Sequence, residues 1–154
     1  MKAEMRLFSR TLEKHWTGEN ILPQSQPVMV ELKGKLPGDG ELLCIDLYDT
    51  DRHTVTICFD STNKEMTVNY NRADRASRYG IRTVPCEMME KETDIDILID
   101  GNTFTLLWEH GLYRYTGKLY PQGNIGVDIK YRAKRHYDIT SLGEILIDFT
   151  GKKE

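Results

Sequence analysis

The chain has 154 residues, with 21 Lys and Arg against 24 Asp and Glu, a formal net charge of −3 and 39% hydrophobic residues. That length suits one domain, able to bury roughly two-thirds of the surface its unfolded form exposes. The balanced charge excludes the broad basic face that nucleic-acid binding requires, and no run reaches the ~18 apolar residues of a membrane span. Neither nucleic acid nor a membrane is therefore expected as a partner.

The opening stretch, MKAEMRLFSRTLEKHW, lacks the apolar core and cleavage site of a secretory signal. The three cysteines, Cys44, Cys58 and Cys86, sit apart among apolar neighbours, with no CxxC or CxxH pair. This pattern predicts buried free thiols in a reducing, cytoplasmic setting and no zinc site.

Met5, Phe8, Leu12 and Trp16 follow helical spacing. They predict one short amphipathic helix between Ala3 and His15, with Gly18 as its left-handed cap. ENILPQSQP then reads as a connector. From Val28 the apolar period changes to two: VMVELKGKL, LLCIDLYD, TVTICFD and EMTVNYN alternate, separated by turn residues. RADRASRYG is polar and arginine-rich, and reads as a loop. IRTVPCEMM is a strand that Pro85 places at an edge or bulge. TDIDILI, TFTLLWE, LYRYTGKLY, NIGVDIKY and EILIDF follow. Short strands at 8–12-residue spacing are the pattern of a β-sandwich. The expected organisation is a helix and linker over 1–27, a β-sandwich over 28–150 and a tail over 151–154.

The order of several weak motifs resembles the C-terminal module of glycoside hydrolase family 32, and the related levan-binding carbohydrate-binding module family 66. Phe59–Asp60, Gly80, Arg82, Asp100, Gly111 and KLYP (Lys118 to Pro121) fall in the module's sequence order, over about Val28 to Phe149. The resemblance implies an all-β fold: a two-sheet antiparallel β-sandwich of the jelly-roll or concanavalin-like kind, here with a short N-terminal helix. It also implies a non-catalytic role, supporting a catalytic propeller domain or a homo-oligomeric subunit contact in a fructan- or sucrose-acting hydrolase. A freestanding module that binds carbohydrate (fructose or fructan) is the alternative, and a galectin-like lectin is a third reading. The module's Asp-Arg-Ser is replaced by Asp100–Gly101–Asn102. The family's catalytic carboxylates lie in Asp-Pro and Glu-Cys motifs of the propeller, and neither dipeptide occurs here. The chain alone is expected not to be an enzyme, glycosidic-bond hydrolysis being left to any parent protein. No cofactor is expected.

Candidate binding residues come from chemistry suited to sugars. Arg82 and Asp100, which the resemblance raises, combine a planar donor fork with an acceptor for hydroxyl groups. Trp108 and Tyr113 offer ring faces for sugar C–H groups, and Glu109 a further acceptor. Each has a structural reading beside it: Trp108 and Tyr113 in core or cross-strand packing, Asp100–Gly101–Asn102 as a hairpin turn. Asp94, Asp96 and Asp100 share one face of a strand opposite Ile95, Ile97 and Ile99. That face is either plainly solvated or, in the rival reading, a source of oxygen ligands for calcium. Arg72, Arg75, Arg78 and Arg82 crowd one loop, which reads as solvated or as a recognition fork for carboxylate, phosphate or vicinal hydroxyls.

Overall fold

Alternation of buried and exposed side chains runs through the computed structural model, which describes residues 3–8, 13–16, 20–22, 27–87 and 92–134. In β4 (Val28–Lys35), Val28, Val30 and Leu32 are buried while Met29 and Glu31 turn outward. β9 (Glu92–Asp100) buries Ile95, Ile97 and Ile99, and β10 (Thr103–Trp108) buries Phe104, Leu106 and Trp108. β7 (Glu65–Arg72) does the same with Met66, Val68 and Tyr70. β5 (Glu41–Tyr48) is covered on both faces. The remaining strands are β1 (Ala3–Phe8), β2 (Glu13–Trp16), β3 (Asn20–Leu22), β6 (Thr54–Asp60), β8 (Ile81–Pro85), β11 (Tyr113–Lys118) and β12 (Ile125–Ala133).

These strands form two antiparallel sheets, ordered β11-β10-β9-β4-β1-β2 and β3-β12-β5-β6-β7-β8. The apolar faces meet to form one core, as a two-sheet sandwich requires. The fold is the all-β sandwich the alternation predicts. Asp100 pairs with Thr103 around a turn in which Gly101 has φ 60°, the hairpin expected there. Pro85 closes β8, the terminal strand of its sheet, where a missing N–H leaves no ladder bond unmade.

The N-terminal segment departs from expectation. β1 and β2 stand where the helical spacing predicts a helix, with Met5 opposite Trp16. β1 also lies along β4, placing Met5 opposite Leu32 and Leu7 opposite Val30. AEMRLF satisfies period two as well as 3.6, and an isolated helix of about 13 residues is marginal in water. Pairing gives the backbone groups on that edge of β4 their partners, which a helix could not do. β3, inside the expected connector, pairs with β12 at Leu22 and Ile125. Residues assigned to a helix and linker thus contribute strands to both sheets. The stretch expected to be a loop after β7 contains a short 3-10 helix, Asp74–Tyr79. The expected strand EILIDF and the tail 151–154 lie outside the described residues.

Aromatic contacts hold the sheets in register. Trp108 meets Phe59 edge-on at 6.2 Å between ring centres and stacks on Tyr113 at 5.7 Å. Further along, Tyr70 from one sheet and Tyr115 from the other share a hydroxyl–hydroxyl hydrogen bond of 2.8 Å, beside Phe104. Gly117 makes this junction possible: a Cβ there would collide with both the Phe104 ring and the Tyr70 hydroxyl. Gly117→Ala should therefore lower the unfolding free energy by about 1–3 kcal/mol, the usual range for overpacking. Guanidinium denaturation checks this; an unchanged midpoint would show that the junction yields without cost.

Candidate functional site

The arginine-rich segment is mounted on the core by its smallest side chains. Ala73 and Ala76 are buried, so the 3-10 helix can seat closely while Arg75 and Arg78 remain exposed. The Ala73 N–H donates to the Tyr70 carbonyl at 2.9 Å, and the Tyr70 N–H to the Gly80 carbonyl at 2.8 Å. These bonds clamp both ends of the excursion from β7 to β8. Gly80, at φ 63° and ψ −135°, turns the chain into β8 in a conformation that side chains disfavour.

Around Tyr79 and Tyr120, Arg75, Arg78 and Arg82 form a cation–aromatic cluster, while Arg72 turns away toward the Thr56 hydroxyl at 3.4 Å. The Arg78 guanidinium lies 5.1 Å and that of Arg82 6.0 Å from the centre of the Tyr79 ring. Arg75 lies 4.9 Å from the centre of the Tyr120 ring. Such separations are within the range of cation–π attraction. Arg78 Nη2 donates to the Tyr79 hydroxyl at 3.1 Å, and Arg82 Nε to the Tyr79 carbonyl at 2.8 Å. The hydrogen bond from Arg78, followed by one with Tyr120, holds the Tyr79 hydroxyl below the ordinary phenol range. Below the surface, burial and then the bond to Tyr115 push the Tyr70 hydroxyl upward, so it stays neutral.

The residues singled out from sequence do not gather in one place. Arg82 lies on β8 and Asp100 at the end of β9, in different sheets, and no ion pair joins them. Asp100 is exposed. Trp108 is only 2% exposed, so its role as an open stacking platform is corrected: its neighbours are Tyr113 and Phe59. Tyr113 is half-buried against that indole, and Glu109 begins the turn after β10 at φ 51°. On the outer face of β9, Asp94 approaches Lys33 at 3.7 Å and His110 at 3.9 Å. Burial, then repulsion from Asp94 and Glu31, raises the neighbouring Asp96 carboxyl. Among the described residues, no cluster of three His, Cys, Asp or Glu side chains could hold a metal ion.

A second polar centre has no counterpart in the sequence reading. Asp49, 4% exposed, accepts hydrogen bonds from the Gln122 and His53 N–H groups at 3.0 Å and from the Asp51 N–H at 2.9 Å. His53 Nδ1 lies 3.0 Å from the same carboxylate. Burial alone would raise the Asp49 carboxyl, but these bonds outweigh it and hold it below 3.8. The Asp49 hydrogen bond raises His53 above 6.5. The Asp-Thr-Asp-Arg-His spacing signals an Asx-type turn; the bond from Gln122, far along the chain, has no local signal. Asp49 thus ties β5 to the segment entering β12.

The two groups favour folding in opposite directions of pH. The His53 contribution is complete below about 6.5 and disappears as pH rises through its raised folded value. That of Asp49 is complete above about 3.8 and disappears as pH falls through its depressed value. His53→Ala should therefore lower Tm more at about pH 5.5 than at about pH 9, where the ring is neutral in both states. Thermal melts at the two pH values test this, and an equal loss at both would exclude the charged pair.

No protein-family model matches this chain, and no curated relative matches it. Solved structures do share its fold. An exo-inulinase from Aspergillus awamori is similar over 75% of this chain, at a TM-score of 0.55 and 13% identity. A sucrose-6-phosphate hydrolase from Lactobacillus gasseri is similar over 73%, at 0.51 and 20%. A toad ovary galectin in complex with thio-digalactose is similar over 76%, at 0.50 and 12%. The chain corresponds to 27% and 26% of the two hydrolases' length, and to 100% of the galectin's. At these identities the similarities show a shared β-sandwich fold. Among the described residues, no helix is long and apolar enough to cross a membrane.

Proposed function

We propose that the chain is a non-catalytic β-sandwich module of a fructan- or sucrose-acting hydrolase, supporting a catalytic domain or a subunit contact. The observation behind this reading is the quarter-length correspondence with an inulinase and a sucrose-6-phosphate hydrolase. Glycosidic hydrolysis needs two carboxyl groups placed across the scissile bond, one protonated and one ionised. The family's dipeptides for such groups are absent from the sequence. Two of the acidic residues described above have other engagements: Asp49 is held by hydrogen bonds, and Asp94 lies near Lys33 and His110.

A second reading, a carbohydrate-binding module, draws on the exposed Arg75, Arg78 and Arg82 beside half-buried Tyr79 and Tyr120. In that reading Arg82 acts with these neighbours, while Asp100, Glu109 and Tyr113 are further contacts in the opposite sheet. Sugar hydroxyls would meet guanidinium donors there, and C–H faces the tyrosine rings.

Incubated alone with sucrose, inulin or levan, the purified protein should release no fructose above the buffer blank. Release that survives repurification and disappears on changing one carboxylate would overturn the non-catalytic reading.

A further inference from the structure

Arg75, Arg78 and Arg82 are exposed cations, and none is ion-paired with a carboxylate among the described residues. The nearest acidic residue in sequence, Asp74, forms no ion pair with any of them. Several basic groups elsewhere on the molecule are matched to acids: Lys33 to Asp94, Lys64 to Glu87, Lys130 to Asp128 and Lys134 to Asp60. In a chain of net charge −3, Arg75 and Arg78 on the 3-10 helix and Arg82 at the start of β8 make a local excess of positive charge.

The excess is also held in place. Arg78 is fixed by the Tyr79 hydroxyl, Arg82 by the Tyr79 carbonyl, and Arg75 lies over Tyr120. Guanidinium groups fixed by one nitrogen keep other N–H groups for a ligand and lose less entropy on binding. The Tyr79 and Tyr120 hydroxyls add hydrogen-bonding groups at the same place.

We propose that Arg75, Arg78 and Arg82, with Tyr79 and Tyr120, form a binding site for an oxyanion, phosphate or carboxylate, carried on a sugar. The planar forks match either oxyanion, and the tyrosines suit the polyhydroxy remainder. A large apolar ligand has little to meet, since among the described residues Ile81 is the exposed large hydrophobic side chain near the cluster. Tyr120 also borders a small depression lined by Asp49, His53, Ala76 and Leu119, where the Asp49 carboxylate is buried and already engaged by hydrogen bonds. This inference goes beyond the module assignment and stands whether or not the chain accompanies a catalytic domain.

Titration calorimetry of the full chain with glucose 6-phosphate, glucuronate, inorganic phosphate and neutral fructose is the direct test. Glucose 6-phosphate or glucuronate should bind, fructose should bind at least about tenfold more weakly, and rising salt should weaken the charged ligands as screening grows. Arg78→Ala and Arg82→Ala should each weaken binding about tenfold or more, as loss of a charge-assisted hydrogen bond does. Arg114→Ala, an exposed arginine on β11, should leave it unchanged and so controls for net charge. Inorganic phosphate binding as tightly as glucose 6-phosphate would overturn the sugar part of the proposal. Absence of heat from both charged sugars at about 10 mM, or equal affinity in the Arg78→Ala/Arg82→Ala protein, would overturn the site itself. Circular dichroism of each variant establishes that it is folded; were the double variant to unfold, Arg78→Lys and Arg82→Lys would carry the test, since lysine retains charge without the planar fork.

Discussion

The edge-on contact between Trp108 of β10 and Phe59 of β6 joins the two sheets, and much of the surrounding geometry follows from it. An indole of this size removes 150–250 Å² from water, roughly 4–6 kcal/mol of apolar burial. That gain fixes which residues of β10 face inward and so fixes where the hairpin to β11 must turn. Trp108 pairs with Tyr113, leaving residues 109–112 for the reversal. Glu109, His110 and Gly111 accordingly adopt φ values of 51°, 57° and 84°. Two non-glycine residues in that region cost of order 1–3 kcal/mol each. Core burial at Trp108 is large enough to offset much of this strain, and the Leu112 N–H to Glu109 carbonyl bond closes the turn.

Charge is segregated in a way the net value conceals. Glu31, Asp94 and Asp96 lie on the outer face of one sheet, with Glu31 directly opposite Asp96. Like charges so placed oppose each other, and Lys33 beside Asp94 relieves only part of the repulsion. The arginine excess lies instead on the excursion between β7 and β8, the last two strands of the other sheet. A small formal charge excludes a uniformly basic protein, but not a local cationic site.

Strand periodicity, the Gly101 turn and the edge position of Pro85 were legible because each depends on local chemistry. The N-terminal segment was not, because Met5, Phe8, Leu12 and Trp16 fit a helix while AEMRLF also fits a strand. The available edge of β4 decided between them, and that edge is a tertiary fact. Burial of Trp108 could have been read from parity, since Phe104 and Leu106 share its face in TFTLLW. The separation of Arg82 from Asp100 could not, because the order of motifs along a chain does not say which sheet receives each strand. The Asp49 centre likewise depends on Gln122, brought close only by folding.

Edge protection supplies a partial reason for basic residues near β8. An exposed terminal strand invites pairing with another chain, and charge together with proline discourages it. Arg82 and Pro85 on β8 fit that role. Arg75 and Arg78 do not, because they lie on the 3-10 helix, which offers no ladder to protect. Nor do they stabilise the core, since Ala73 and Ala76 already seat that helix. Their long side chains are instead held against tyrosine rings, at a cost in rotamer freedom that surface arginines ordinarily avoid. Recognition of an anion gives that ordering a purpose that neither edge protection nor packing provides.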